Sequence, residues 1–166
     1  MADNRLSVVD LVAGLDQEWP EAGAQIHLAV LYLYRARDRL HDALSEVLQP
    51  FGLLSADLDV LAALRTRPPP HELTPTSLYR HLFLSSGGLT KILRRLSVAG
   101  LVDRPANPQD RRSRLVRLTP QGLDLLDSLL APIGRHEEAF LAPLSSAERH
   151  QLAALLAKLV DHLDRT

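Results

Sequence analysis

A chain of 166 residues with 46% hydrophobic content is long enough for one domain with helical extensions and too apolar for disorder. It has no cysteine, which excludes disulfides, thiolate metal sites and thiol redox chemistry. The net charge of −1 conceals an asymmetry, because residues 65–117 hold 11 Lys/Arg against 3 acids (net +8) and the rest of the chain is net −9. A cationic middle between acidic ends points to a polyanion-binding module in a scaffold that does not touch the polyanion. The first ten residues carry Asp3 and Asp10 and no continuous apolar run, and no stretch approaches the length of a membrane span. The expectation is a cytoplasmic protein with no membrane partner.

Residues 6–18 predict a short helix opened by Ser7, with Leu6, Val9, Leu11, Val12 and Leu15 as its apolar positions. Trp19-Pro20 breaks it. A long helix is expected from about Ala22 to Leu48, with Ile26, Val30, Leu33, Leu40, Leu44 and Val47 at threes and fours through most of its length. It is apolar on more than one side, as in helices that pack against more than one neighbour. Gln49-Pro50-Phe51-Gly52 ends it. Ser55 is expected to cap a helix to Arg65, with Leu58, Leu61, Ala62 and Leu64 facing inward. Pro68, Pro69 and Pro70 form a stop, and His71 to Leu73 reads as a short strand. Thr74-Pro75 couples a cap to a proline at the first helical position and opens a helix with Leu78 and Leu82 inward. Leu84-Ser85 makes the turn that follows.

The centre of the chain is Leu84 to Thr119. Ser85 or Ser86 can cap a helix whose Leu89, Ile92, Leu93 and Leu96 form a buried stripe, and Gly100 ends it. The other face shows Gly87, Thr90, Lys91, Arg94, Arg95 and Val98: three cations, a hydroxyl and no acid. Leu101 to Pro105 and Ser113 to Leu118 then flank a turn-rich segment, with Val116 and Leu118 alternating around Arg117 as in a half-buried strand. The tip carries Asp110, Arg111, Arg112 and Arg114. This is the layout of a winged helix-turn-helix, whose helix lies in the DNA major groove while the wing reaches the backbone or the minor groove.

Thr119-Pro120 repeats the cap-plus-proline device and opens a helix to about Phe140 with Leu123, Leu126, Leu129, Leu130 and Ile133 on one side. Pro132 and Gly134 are its candidate kink points. Ser145 and Glu148 have capping-box spacing before a last helix to about Leu163. The terminal helices and the long helix hold more apolar surface than the central unit can cover, which points to a dimer interface. The expected fold is mainly α: a winged helix-turn-helix with a small β wing over residues 55–119, and residues 1–54 and 120–166 as a helical dimerisation region.

Seven histidines form neither HExxH nor a closely spaced ligand set, and His136-Glu137-Glu138 points to different helix faces, so no metal site is expected. Ser85-Ser86-Gly87-Gly88 has no positioned base and opens a cationic helix. No catalytic set, phosphate-binding loop or cofactor motif is assembled, and the chain is not read as an enzyme.

With these residues assembled, the chain resembles the multiple-antibiotic-resistance regulator (MarR) family from about Ala22 to Leu163. The likeness is densest in LTPTSLYRHLFLSSGGLTKILRRLSVAGLV and NPQDRRSRLVRLTPQG. Asp110-x-Arg112 followed by Leu118-Thr119-x-x-Gly122 is a specific signature. The resemblance implies a homodimer that reads a pseudo-palindromic double-stranded DNA operator, and a small-molecule effector. It assigns base and phosphate contacts to Ser86, Thr90, Lys91 and Arg94, and to Arg95 either a phosphate contact or the bracing of the wing. Arg112 is assigned to the minor groove with Asp110 fixing its orientation through a charge-assisted hydrogen bond, and Arg111 and Arg114 to phosphates. For each arginine the competing reading is a solvated charge or an intramolecular ion pair.

Trp19, at the end of an additional N-terminal helix, and Asp59 resemble pocket residues of a branch of the family that binds urate or related aromatic anions. Ala63 sits one turn beyond Asp59, and no arginine partner is placed there. A phenolic, carboxylated or coenzyme A-linked aromatic effector suits the family equally, and packing and capping are the alternative roles for the two residues. The function implied is a ligand-responsive, sequence-specific transcriptional repressor. The competing class is a winged-helix protein-interaction module that does not bind DNA.

Overall fold

Local capping chemistry sets most of the helix starts. In the computed structural model, which describes residues 6–82, 86–110, 112–163 and 165 (with the side chains of residues 81, 86 and 87 outside that description), the chain divides into two units, Met1–Ala43 and Leu44–Thr166.

In the first unit, α1 (Val8–Glu18) opens on Ser7, whose hydroxyl accepts the Asp10 N–H at 3.0 Å. Its buried residue is Val8, and the expected inward residues Leu6, Val9 and Leu11 are exposed. Trp19 ends α1 and precedes α2 (Pro20–Gly23), a single turn begun by the proline. The long helix α3 (Leu28–Leu48) therefore starts six residues later than the periodicity suggested. The segment before it is wound into turns, with the Gln25 and Ile26 N–H groups both bound to the Ala22 carbonyl. The end of α3 belongs to the second unit.

There, a 3-10 turn over Gln49–Phe51 closes on Gly52, which takes the left-handed conformation at φ 67° that a glycine adopts without a Cβ clash. The start of α4 (Ser55–Arg65) departs from expectation. The N-cap is Leu54, and the group that satisfies its N–H is the carboxylate of Asp57, at 2.9 Å. Ser55 lies one residue inside, with its hydroxyl buried and unpartnered. Leu61 and Leu64 are buried as expected, Val60 joins them, and Ala62 faces out.

Three short strands, β1 (Glu72–Leu73), β2 (Val102–Asp103) and β3 (Val116–Leu118), form an antiparallel sheet in the order β1-β3-β2. Helices α5 (Pro75–Leu82) and α6 (Ser86–Val98) lie between β1 and β2 in sequence. Thr74 caps α5 by accepting the Ser77 N–H at 3.1 Å. Gly100, at φ 71°, ends α6, and the Leu101 N–H returns to the Leu96 carbonyl at 3.0 Å, the longer bond of a glycine-terminated helix. Leu89, Ile92, Leu93 and Leu96 are all buried. They join Val60, Leu61 and Leu64 of α4, Leu78 of α5, and Val102, Val116 and Leu118 of the sheet in one core.

Thr119 caps α7 (Pro120–Leu141), accepting the Gly122 N–H at 3.0 Å, and Leu126 and Leu129 bring α7 into the core. The Ser145–Glu148 capping box is formed in both directions before α8 (Ser146–Leu163). Leu155, Leu159, Val160 and Leu163 of α8 stay exposed. Among the described residues no single helix is long and apolar enough to cross a membrane. The fold is the mainly helical winged helix-turn-helix expected, with its small sheet.

Candidate nucleic-acid interface

Helix α6 presents its outer face because its apolar stripe is fully used by the core. Thr90, Lys91, Arg94 and Arg95 are exposed on that face, and the side chain of Ser86 lies outside the described residues. A 410 Å³ cavity opens beside α6, lined by Pro75, Thr76, Tyr79, Leu89, Thr90, Leu93 and Arg104.

Arg95 differs from its neighbours. Its Nε lies 3.1 and 3.0 Å from the two oxygens of Asp57, and its Nη2 lies 2.5 Å from Oδ1. Asp57 is 0% exposed, whereas the Arg95 side chain keeps 40% of its surface. A planar guanidinium donating twice to one carboxylate is a strong, orientation-specific pairing. Of the two roles that the resemblance left for Arg95, the geometry is that of a brace. It acts on α4, not on the wing.

The wing is built on β2 and β3, with Val102 opposite Leu118 and Asp103 opposite Arg117. Arg117 also faces Glu72 across β1, donating through Nε at 2.8 Å and Nη2 at 2.7 Å, so this cation is held within the sheet. Beyond the strands, Ala106 bridges Arg114 and closes the tip. Asn107 is buried inside it, donating to the Ser113 hydroxyl at 2.9 Å and accepting the Gln109 N–H at 3.0 Å.

Asp110 orients Arg112 differently from expectation. Its Oδ1 accepts the backbone N–H of Arg112 at 2.9 Å, a local side-chain-to-backbone turn. The carboxylate thus shapes the loop, and the Arg112 residue is exposed. Arg114 donates to the Arg104 carbonyl at 2.9 Å. Burial, and then the nearby Arg114 charge, lower the Arg104 pKa from its ordinary value, and the Arg104 Nε is buried with no partner. Arg111 lies outside the described residues.

The two residues singled out for an effector fall in different units. Trp19 is 62% exposed where α1 gives way to α2, and Asp59 is exposed on α4. The buried acid of α4 is Asp57, two positions earlier, which sequence reasoning missed. A readable signal existed, since an acid at the third helical position is a capping residue. Its pairing with a cation 38 residues away was not readable.

A sequence profile described as the MarR family matches residues 51–113. The chain is 31% identical over 158 residues to the HTH-type transcriptional regulator PecS of Dickeya dadantii (strain 3937), covering 95% of each. It is 32% identical over 140 residues to the multiple antibiotic resistance protein MarR of Escherichia coli (strain K12), covering 83% of this chain and 90% of that one. A crystal structure of a mutant MarR from E. coli complexed with operator DNA superposes with a TM-score of 0.71 at 27% identity, over 87% of this chain and 96% of that one. With near-complete coverage by PecS and the same winged architecture, this chain belongs to the MarR family of transcriptional regulators.

Proposed function

We propose that the protein is a sequence-specific DNA-binding repressor that acts as a homodimer and responds to a small molecule. The observation that carries the reading is the arrangement of charge. Lys91 and Arg94 are exposed on α6 and Arg112 on the wing, whereas the neighbouring acids Glu72 and Asp110 are turned to Arg117 and to a backbone N–H. A cationic helix and a cationic wing suit the major groove and the adjacent backbone or minor groove. Ser86, Thr90, Arg111 and Arg114 complete the proposed DNA-binding set, with Arg95 and Asp110 positioning it. The solved complex of a mutant MarR with operator DNA supports this reading by likeness.

Dimerisation through residues 1–54 and 120–166 is supported by the apolar residues left exposed on both units, Leu28, Val30 and Leu33 on α3 and Leu155, Leu159 and Leu163 on α8. A response to an aromatic or anionic effector is supported by the cavity beside α6, where Arg104 offers a cation next to Tyr79 and Thr90. Trp19 and Asp59, neither of which lines that cavity, are proposed as effector contacts on family likeness alone.

A mobility-shift assay with the DNA upstream of the protein's own gene, paired with light scattering for the mass in solution, tests the reading. The expected result is a dimer retained on that duplex in the presence of competitor DNA. A stable monomer, or indifference to duplex at low ionic strength, overturns it and favours the protein-interaction module.

A further inference from the structure

We infer that Asp57 is a specificity-determining residue for DNA recognition. It acts by withholding Arg95 from the DNA and clamping α6 to the start of α4. The inference rests on the DNA-binding reading above.

Three observations converge on it. The Asp57 carboxylate is fully enclosed, and its Oδ2 accepts the Leu54 N–H at 2.9 Å, so it is anchored to the first turn of α4. A negative group there also complements the positive end of the helix. The same carboxylate receives Nε and Nη2 of Arg95, on the helix whose Lys91 and Arg94 face outward. Finally, the Arg95 side chain is still 40% exposed, close enough to solvent for a released guanidinium to swing out.

A cation on the outer face of a recognition helix binds any phosphate, and phosphate contacts add affinity without sequence information. Holding Arg95 inward removes one such contact. It also fixes the roll of α6 about its axis, and with it the direction of the side chains that meet base edges. Asp57 therefore trades sequence-independent attraction for register.

Asp57→Asn tests this, because the amide oxygen can still cap Leu54 while the charge that holds Arg95 is gone. The probes are the duplex that the wild-type chain enriches from a randomised pool and a scrambled duplex of the same composition. D57N is expected to lose about tenfold in affinity for the enriched duplex and to keep or gain affinity for the scrambled one. The slope of log affinity against log salt should steepen by about one unit as Arg95 joins the phosphates. In the double variant D57N/R95M the slope should return to the wild-type value while discrimination stays lowered.

A merely structural Asp57 would lower affinity for both duplexes alike and leave the slope unchanged. Either that pattern, or D57N with wild-type discrimination and slope, overturns the inference. Should D57N not fold, the wild-type chain still decides. The Arg95 Nε–H resonance should hold its position when the enriched duplex is added, and a shift as large as that of Arg94 overturns the inference. If the wild-type chain enriches no sequence at all, the DNA-binding reading itself fails, and this inference fails with it.

Discussion

Gly122 lies against the carbonyl oxygen of Leu101 so closely that a Cβ built on it would sit 2.3 Å from that oxygen. Three hydrogen bonds meet at this crossing of the wing base and α7. The Thr119 N–H reaches the Leu101 carbonyl at 3.1 Å, the Thr119 hydroxyl donates to the Gly100 carbonyl at 2.7 Å, and it accepts the Gly122 N–H at 3.0 Å. The Thr119-x-x-Gly122 pattern is thus a joint. The threonine caps the helix and ties it to the wing, and the glycine lets the backbones approach.

Gly122→Ala should therefore destabilise the second unit by about 1–3 kcal/mol or more, since the obstacle is backbone and cannot rotate away. Urea unfolding of the variant measures it. Gly134→Ala is the control, because nothing lies within 4 Å of its added Cβ. In a helix interior that change is expected to stabilise by about 0.5–1 kcal/mol.

The two partners of the Asp57–Arg95 pair should not be equivalent. Arg95→Ala leaves a fully enclosed carboxylate without its cation and should cost about 3–5 kcal/mol. Asp57→Ala leaves a guanidinium that already reaches solvent, so the main losses are the cap and the pair in a screened setting, about 1–2 kcal/mol. Denaturation midpoints of the two variants give the comparison. Equal losses would contradict the burial of Asp57.

Two carboxylates at the junction of α7 and α8 predict an acid-sensitive helix start. The hydrogen bond from Arg149, and then its charge, hold the Glu138 pKa below its ordinary value. The Ser145 hydroxyl and backbone N–H do the same for Glu148. A carboxylate whose pKa is depressed by folding contributes stability above its ordinary value, near 4.5, and loses it as pH falls through the lowered folded-state value. Carboxyl NMR titration should show both midpoints lowered. Arg149→Gln should raise that of Glu138 alone, and Ser145→Ala that of Glu148 alone.

On DNA, Arg112→Ala should weaken binding and reduce the magnitude of the salt slope by about one unit, because one phosphate-neutralising cation is removed. Lys158→Ala, on α8 outside the cationic segment, should change neither. Parallel titrations at several salt concentrations measure both, and equal effects at the two sites would sink the interface as assigned.

How much of this was legible beforehand follows the range of the forces involved. Ser7, Thr74, Thr119 and Ser145 announce helix starts because each cap accepts the N–H three residues on, within reach of a local reading. The apolar stripe of α6 and the strand alternation at Val116 and Leu118 were legible for the same reason, since burial repeats with the period of the element. Ser55 misled because the helix starts one residue earlier: the N–H groups of Asp57 and Leu58, which a serine cap would accept, bond the Leu54 carbonyl, and the Asp57 carboxylate in turn accepts the Leu54 N–H.

Charge was the opposite case. The sequence alone establishes a cationic segment flanked by acids, because net charge depends only on composition, and from it the expectation of a polyanion-facing surface. Which cations face outward was decided by contacts that span the chain: Arg95 to Asp57 across 38 positions and Arg117 to Glu72 across 45. No periodicity encodes such pairings. They exist only after the core has packed α6 onto α4 and β3 beside β1, and only at the enclosed Asp57 does desolvation make an unpaired charge too costly to leave.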